Sequence, residues 1–297
     1  MYKIPLNEYI SCDNKGYSLL AEIYRRISTQ AQFREIGLDF SICRHFDANL
    51  SAALGAILDK LAEEGFQIWL TDINSESVKR VLSRNHFLKA FNYETDNNEK
   101  EFFIEYKRFS SNASTTFKKY IQKGLMDKER FPKHTKRAGD KVLESIYEIY
   151  SNAIKHGDCS YVYCCGELND NSLSVLDVTI VDCGNTIPYN VNNFFKRKGK
   201  SEVDACAAII WSMDKGHTTK DQPGGLGLAI LKEFITLNNG ALQIVSANGM
   251  LDYRNGTTST SVLQSDFPGT IVNMEFNFDD DTFYSLNDEE IDLNDLL

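Results

Sequence analysis

The sequence predicts a two-domain α/β protein, and three observations lead there. The 297 residues exceed what one small core organises and suit two domains of ordinary size. Residues 37–91 alternate short apolar runs with helical repeats, the pattern of parallel strands joined by crossover helices. A long amphipathic helix begins near Arg137, and nearly continuous apolar runs follow it, as buried strands require. The expected division is an α/β domain over 1–92, a linker and helical segment over 93–136, a second α/β domain over 137–278 with helices layered on a mixed sheet, and an acidic tail over 279–297.

In the first domain, "YSLLAEIYRRIS" (17–28) reads as a helix and "LDFSIC" (38–43) as a strand. "NLSAALGAILDKLAEEG" (49–65) sets Leu50, Ala53, Leu54, Ile57, Leu58 and Leu61 at helical spacing. "FQIWLT" (66–71) is a strand, and "SESVKRVLSRN" (75–85) is a helix with Ser75 as its N-cap. Residues 92–101 turn polar, which marks the linker. After a short aromatic stretch (Phe102–Phe109), "TTFKKYIQKGLM" (115–126) reads as a basic helix that Pro132 separates from the next.

That next helix sorts its residues by face. Leu143, Ile146, Ile149, Tyr150, Ala153 and Ile154 gather on one side; Glu144, Glu148, Asn152, Lys155 and His156 gather on the other. The polar side fits either a solvated surface or a site. "SYVYCCGEL" (160–168) and "SLSVLDVTIVDCG" (172–184) read as strands, followed by a basic patch "KRKGK" (196–200) and a helix over 202–214. "GGLGLAILKE" (224–233) then puts three glycines at the mouth of a helix running to about Asn239, with Gly240 as its C-cap. Read alone, it fits either a phosphate-binding helix mouth or a loop needing positive φ. "LQIVSA" (242–247), a turn, and "GTIVNMEFNF" (269–278) supply closing strands.

Composition narrows the function classes. Hydrophobic residues at 42% and charged ones at 25% are globular values, and no apolar run or basic leader marks a membrane span or signal, so a cytoplasmic protein is expected. Seven scattered cysteines without CxxC spacing read as reduced thiols; adjacent Cys164 and Cys165 point to opposite faces of a strand. The formal charge is -10, but the last nineteen residues hold eight acidic groups and no Lys or Arg, leaving 32 basic and 34 acidic groups elsewhere. The tail is either a solvated end or a docking segment, and neither favours nucleic acid.

Three separated segments, "EIYSNAIKH" (148–156), "VDCGNTIP" (181–188) and "GGLGLA" (224–229), together with "FPGTIV" (267–272), resemble the N, G1 and G2 boxes and the closing strand of the GHKL, or Bergerat-fold, ATPases. The resemblance covers roughly residues 102–278 and implies ATP and Mg²⁺ as cofactors. It implies Asn152 as the metal ligand, an amide oxygen that leaves most of an octahedral shell to phosphates and water. It implies Glu148, one turn back, as the group that orients or deprotonates water. Lys155 would pair with phosphate, His156 would either do the same or cap the helix end, Asp182 would accept the adenine amino proton, Gly184 would let the base lie against the backbone, and Thr270 would assist at the adenine. The backbone N–H groups of Gly225, Leu226, Gly227 and Leu228 would hold phosphates, which gives the glycines at the helix mouth a purpose. Two departures stiffen the rim: Thr186 and Pro223 stand where the family has glycine. Within the lid (189–223), Thr218, Thr219 and Lys220 fit either a γ-phosphate contact or a solvated loop. "GKS" (199–201) is no P-loop, since Phe194 stands where the first glycine belongs, and the segment before Gly224 is too polar for a Rossmann turn.

The stretch from Phe46 through Leu88 resembles a STAS-like domain, the fold of anti-anti-sigma factors. In that family a D-S-S-G turn carries the phosphorylated serine; here Asp47, Ala48, Asn49 and Leu50 stand there, with Ser51 as a faint substitute. The resemblance implies a binding or dimerising module that senses nucleotide state. His134 precedes no two-helix hairpin, which argues against a phospho-accepting histidine. The combined reading is an ATP·Mg-binding ATPase or kinase-like regulator with a protein partner or homodimer. The alternative is a non-hydrolysing, nucleotide-gated switch of anti-sigma or stress- and defence-signalling type.

Overall fold

The protein is described by a computed structural model over residues 1–30, 32–94, 103–168, 174–214, 227–278, 280–286 and 289. It is a mixed α/β structure. The amino-terminal half runs β1 (Tyr2–Pro5), β2 (Tyr9–Ile10), α1 (Asn14–Ser28), β3 (Glu35–Asp39), β4 (His45–Phe46), α2 (Leu50–Glu63), β5 (Gln67–Thr71), α3 (Glu76–Arg84) and α4 (Phe87–Ala90). Strands β1, β3 and β5 form a three-stranded parallel sheet in that order, with α1 and α2 as its crossovers. Caps start the helices where the sequence provides them: Asp13 accepts from the Gly16 N–H at α1 and Ser75 from the Val78 N–H at α3.

The second half runs β6 (Phe103–Ser110), α5 (Ser114–Ile121) with a π-helical turn (Gln122–Met126), α6 (Lys136–His156), β7 (Tyr161–Leu168), β8 (Val175–Asp182), α7 (Ile187–Arg197), α8 (Ala205–Met213), α9 (Gly227–Leu237), β9 (Ala241–Arg254) and β10 (Thr257–Asn277). Its five strands form one sheet in the order β6-β7-β8-β10-β9. Every pairing in it is antiparallel, not mixed as expected. The reason is topological: the long return through α7–α9 sets β9 parallel to β8, but β10 folds back from β9 and inserts between them. That hairpin turns at Asn255 and Gly256, both at positive φ (52° and 75°), the signature of a two-residue type I′ connection.

The strict alternation of strand side chains gives this sheet two buried faces. Val162, Cys164, Val178 and Ile180 pack against α5, α6 and α9. Tyr163, Cys165, Val181, Phe267 and Ile271 join Leu20, Leu54, Ile57 and Leu61 of α1 and α2 in a second core. The adjacent cysteines therefore do part to opposite faces, and all seven cysteines are free. The result is a stack of three-stranded sheet, helices, five-stranded sheet and helices, in which both halves share a core. Gly55 of α2 makes room for it, since a Cβ there would lie 2.1 Å from the Tyr106 hydroxyl. Polar bridges cross the same interface: Asn49 Nδ2 donates to Asn273 Oδ1 at 3.0 Å, an oxygen that Thr179 Oγ1 of the neighbouring strand also holds at 2.7 Å, and buried Arg84 pairs with Glu167.

Several local expectations shift. The strand expected over 38–43 ends at Asp39, whose carboxylate accepts the Ser41 N–H at 2.8 Å and turns the chain. Helix α9 is closed by Asn239 in the left-handed region (φ 54°), while Gly240 carries no positive φ. Helix α7 was not expected; Thr186 caps it by accepting the Tyr189 N–H and Pro188 sits in its first turn. From Phe103 onward the aromatic stretch supplies edge strand β6, and Phe102 lies outside the described residues. Ser51 is fully buried and accepts from Asn85 Nδ2 at 2.9 Å, so it is a core residue and no substitute phosphoacceptor. Part of the acidic tail docks: the Tyr284 N–H donates to the Lys133 carbonyl, the Thr135 N–H to the Tyr284 carbonyl, and the Thr135 hydroxyl to Glu289. No helix among the described residues is long and apolar enough to cross a membrane.

Candidate functional site

Helix α6 places Glu148, Asn152 and His156 four residues apart along one stripe, and that stripe is one wall of a cleft. The floor comes from the sheet, through Ile180 and Asp182 of β8, Ile244 of β9, and Thr270 and Val272 of β10. Ile187, Asn190 and Val191 of α7 with Trp211 and Ser212 of α8 form the roof, and Leu228 opens the far side at the start of α9. The open space of the cleft, mouth and adjoining solvent included, is about 1040 Å³.

Asp182 is the chemical focus of the cleft. It ends β8 opposite Thr270 of β10 and is only 6% exposed. Burial pushes its carboxyl up to about 7, and backbone hydrogen bonds from Gly184 and Thr270 oppose that shift. The Gly184 N–H donates to Asp182 Oδ1 at 3.0 Å. Gly157, directly after α6, admits this carboxylate: a Cβ there would stand 3.1 Å from Asp182 Oδ1 and 2.4 Å from the Ala153 carbonyl oxygen. A half-neutral acid is thus held at the mouth of an apolar floor, ready to accept a donor that stabilises its ionised form.

Other side chains fix the walls. Asn190 Nδ2 donates to the His156 carbonyl at 3.0 Å and ties α7 to the end of α6. The fully buried Ser246 accepts the Ile187 N–H at 2.9 Å, stands 2.9 Å from Thr270 Oγ1 and donates to the Gly269 carbonyl at 3.1 Å. A separate small cluster of Val191, Phe195 and Ala208, with Phe194 and Trp211 against it, holds α7 to α8. The roof therefore has some packing of its own, while Ile209 and Met213 of α8 also belong to the core beneath.

Among the residues singled out from the sequence, Glu148, Asn152, His156, Asp182, Leu228 and Thr270 line this cleft together. Two others do not. Lys155 is exposed and lies outside the lining, about 100° around the helix from His156 and on the side away from Ile149 and Ala153. Gly184 lies behind Asp182, where a Cβ would meet the Gly157 carbonyl oxygen at 2.1 Å and Cys159 Cβ at 3.1 Å; its size serves backbone packing. Gly227 opens α9, whereas Thr218, Thr219, Lys220, Gly225 and Leu226 lie outside the described residues. Sequence reasoning missed Asn190, Trp211 and Ser246. For Ser246 the signal was a lone hydroxyl inside the apolar run "LQIVSA".

The donor set bears on a metal. Among the described residues no three His, Cys, Asp or Glu side chains gather as ligands. The cleft offers the amide of Asn152 and the carboxylate of Glu148, a sparse oxygen set of the kind Mg²⁺ accepts when phosphates and water complete its shell. Compared with known proteins, the chain matches no family model and no curated sequence.

Proposed function

We propose that this cleft binds ATP with Mg²⁺ and that the protein is a GHKL-type ATPase or kinase-like regulator. The observation that carries the reading is one shared cleft with a buried carboxylate, Asp182, at one end and an amide and a carboxylate, Asn152 and Glu148, along its wall. In this reading Asp182 accepts the amino hydrogen of adenine and Thr270 supports it. The Asn152 amide oxygen faces the metal, while the Leu228 end of the cleft and the first N–H groups of α9 face the phosphates. Glu148 orients a water or takes its proton, four residues before Asn152 on the same stripe. When bound, Mg²⁺ supplies charge neutralisation at the phosphates.

Phosphate release from the purified protein tests hydrolysis. Glu148→Ala should lower turnover at least ~100-fold and keep ATP binding, since general-base groups contribute roughly 10²–10⁴-fold. Asn152→Ala should lose turnover and the Mg²⁺ dependence of ATP binding. Release by Glu148→Ala at the native rate would remove Glu148 from the mechanism.

One contact favours the second reading, a nucleotide-gated switch. Lys60 Nζ at the end of α2 reaches the Cys183 carbonyl, at 3.5 Å, between Asp182 and Gly184. A ligand-driven shift at that loop would pass to the amino-terminal module and to a protein partner or second copy held there. Nucleotide binding without phosphate release from the native protein would establish this alternative.

A further inference from the structure

Counting donors and acceptors around the hydroxyl pair beneath the cleft suggests where its protons lie. A serine hydroxyl carries one donor and two acceptor lone pairs, and Ser246 Oγ has three neighbours within 3.1 Å. The Ile187 N–H can only donate to it. The Gly269 carbonyl can only accept from it. Gly269 lies where the β9–β10 register slips, between the pairs Phe267–Ala247 and Thr270–Ser246, so this carbonyl stands outside the regular ladder. We therefore assign the one Ser246 proton to Gly269, which makes the Thr270 hydroxyl the donor to Ser246.

From this geometry we propose that Ser246 is a specificity-determining residue: it turns Thr270 into a pure acceptor and thereby selects a ligand base bearing an amino group over one bearing a ring carbonyl. The inference rests on the reading of the cleft as a nucleotide site. With its proton committed to Ser246, Thr270 Oγ1 presents only lone pairs to the cleft. At pH 8, above the raised pKa of Asp182, its ionised carboxylate beside Thr270 also only accepts. An exocyclic amino group supplies two donors to that floor, whereas a 6-oxo base would set an oxygen against oxygens. Ser246 touches no cavity space itself and acts through Thr270, and through Ile187 it also anchors the first residue of the roof helix.

Binding of ATP·Mg and ITP·Mg to the full chain tests the proposal, because the two ligands differ only in the base, at the 6-position and the N1 proton. The native protein should prefer ATP by roughly tenfold or more, the worth of one buried hydrogen bond. Ser246→Ala frees the Thr270 proton, so the preference should shrink by about that factor through a gain in ITP binding. Thr270→Val is the second probe and leaves the Ser246 anchor in place: it should weaken ATP and leave ITP unchanged. A folded Ser246→Ala protein with an undiminished preference, or a Thr270→Val protein that loses ITP as much as ATP, would overturn the role of Ser246 while leaving the nucleotide site standing. Failure of the native protein to bind either triphosphate would overturn the site itself.

Discussion

Two carboxylates, the buried Asp182 and the half-buried Asp177, carry most of the electrostatic consequence of this fold. Asp182 is pushed up to about 7 by burial, so near neutral pH it is divided between its two forms. A donating amino group favours the ionised form, and binding must then release a proton at low pH. Affinity for ATP·Mg should accordingly rise about tenfold from pH 6 to pH 8 and level off above, as calorimetric titration at several pH values would measure. Asp177 is the second case. It sits in cross-strand register between Glu167 and Glu275, which pair with Arg84 and Arg254 respectively. Burial, with the like charge of Glu275, pushes its carboxyl up to about 8. A raised acid pKa penalises the fold once the unfolded carboxyl ionises, so the penalty grows as pH climbs from about 4 toward 8. Asp177→Asn should therefore stabilise more at pH 8.5 than at pH 5, by on the order of 1–2 kcal/mol in urea unfolding. The Asp182 position was legible as the polar end of an apolar strand. Ser246 was not, because its meaning depends on a register slip between strands distant in sequence.

At the scale of elements, long periodic segments were legible and short lid segments were less so. Helix α6 announced itself through its two faces, and the wheel put Glu148, Asn152 and His156 on the cleft side, while Glu144 and Lys155 lie outside the lining and Ile149 and Ala153 of the core side also reach it. Helix α7 escaped although Thr186 and Pro188 form an N-terminal signature, since its apolar side faces α8 more than the main core. The carboxyl-terminal hairpin was likewise placed too early: the Asn255-Gly256 pair marked the turn, and the polar run Thr257–Ser261 hid the strand that follows. The cap itself can be tested. Thr186→Ala removes the acceptor for the Tyr189 N–H and should cost about 1 kcal/mol, concentrated in α7. Hydrogen exchange should quicken in α7 and leave α6 unchanged; equal quickening in both would mean that the roof is not a separate unit.

Across the whole molecule, the shared core outweighs the polar linker. A polar run over 92–101 argued for two separable domains, yet α1 and α2 bury one face of the five-stranded sheet, a long-range packing that local composition does not encode. The two tryptophans fall on opposite sides of that core, Trp69 in β5 and Trp211 in α8. Trp69→Phe and Trp211→Phe proteins each report one half by fluorescence. Their thermal midpoints should coincide, because a common core melts cooperatively; midpoints well separated would show that the halves unfold independently. The central claim is a single cleft reading a nucleotide from Asp182 to Asn152, and equilibrium binding of ATP·Mg at pH 8 to the native, Asp182→Asn and Asn152→Ala proteins tests it most directly. The native protein should bind, Asp182→Asn should lose at least ~10-fold in affinity, and Asn152→Ala should lose its Mg²⁺ dependence. Native protein that binds no ATP·Mg, or an Asp182→Asn variant that binds it equally well, would contradict the account.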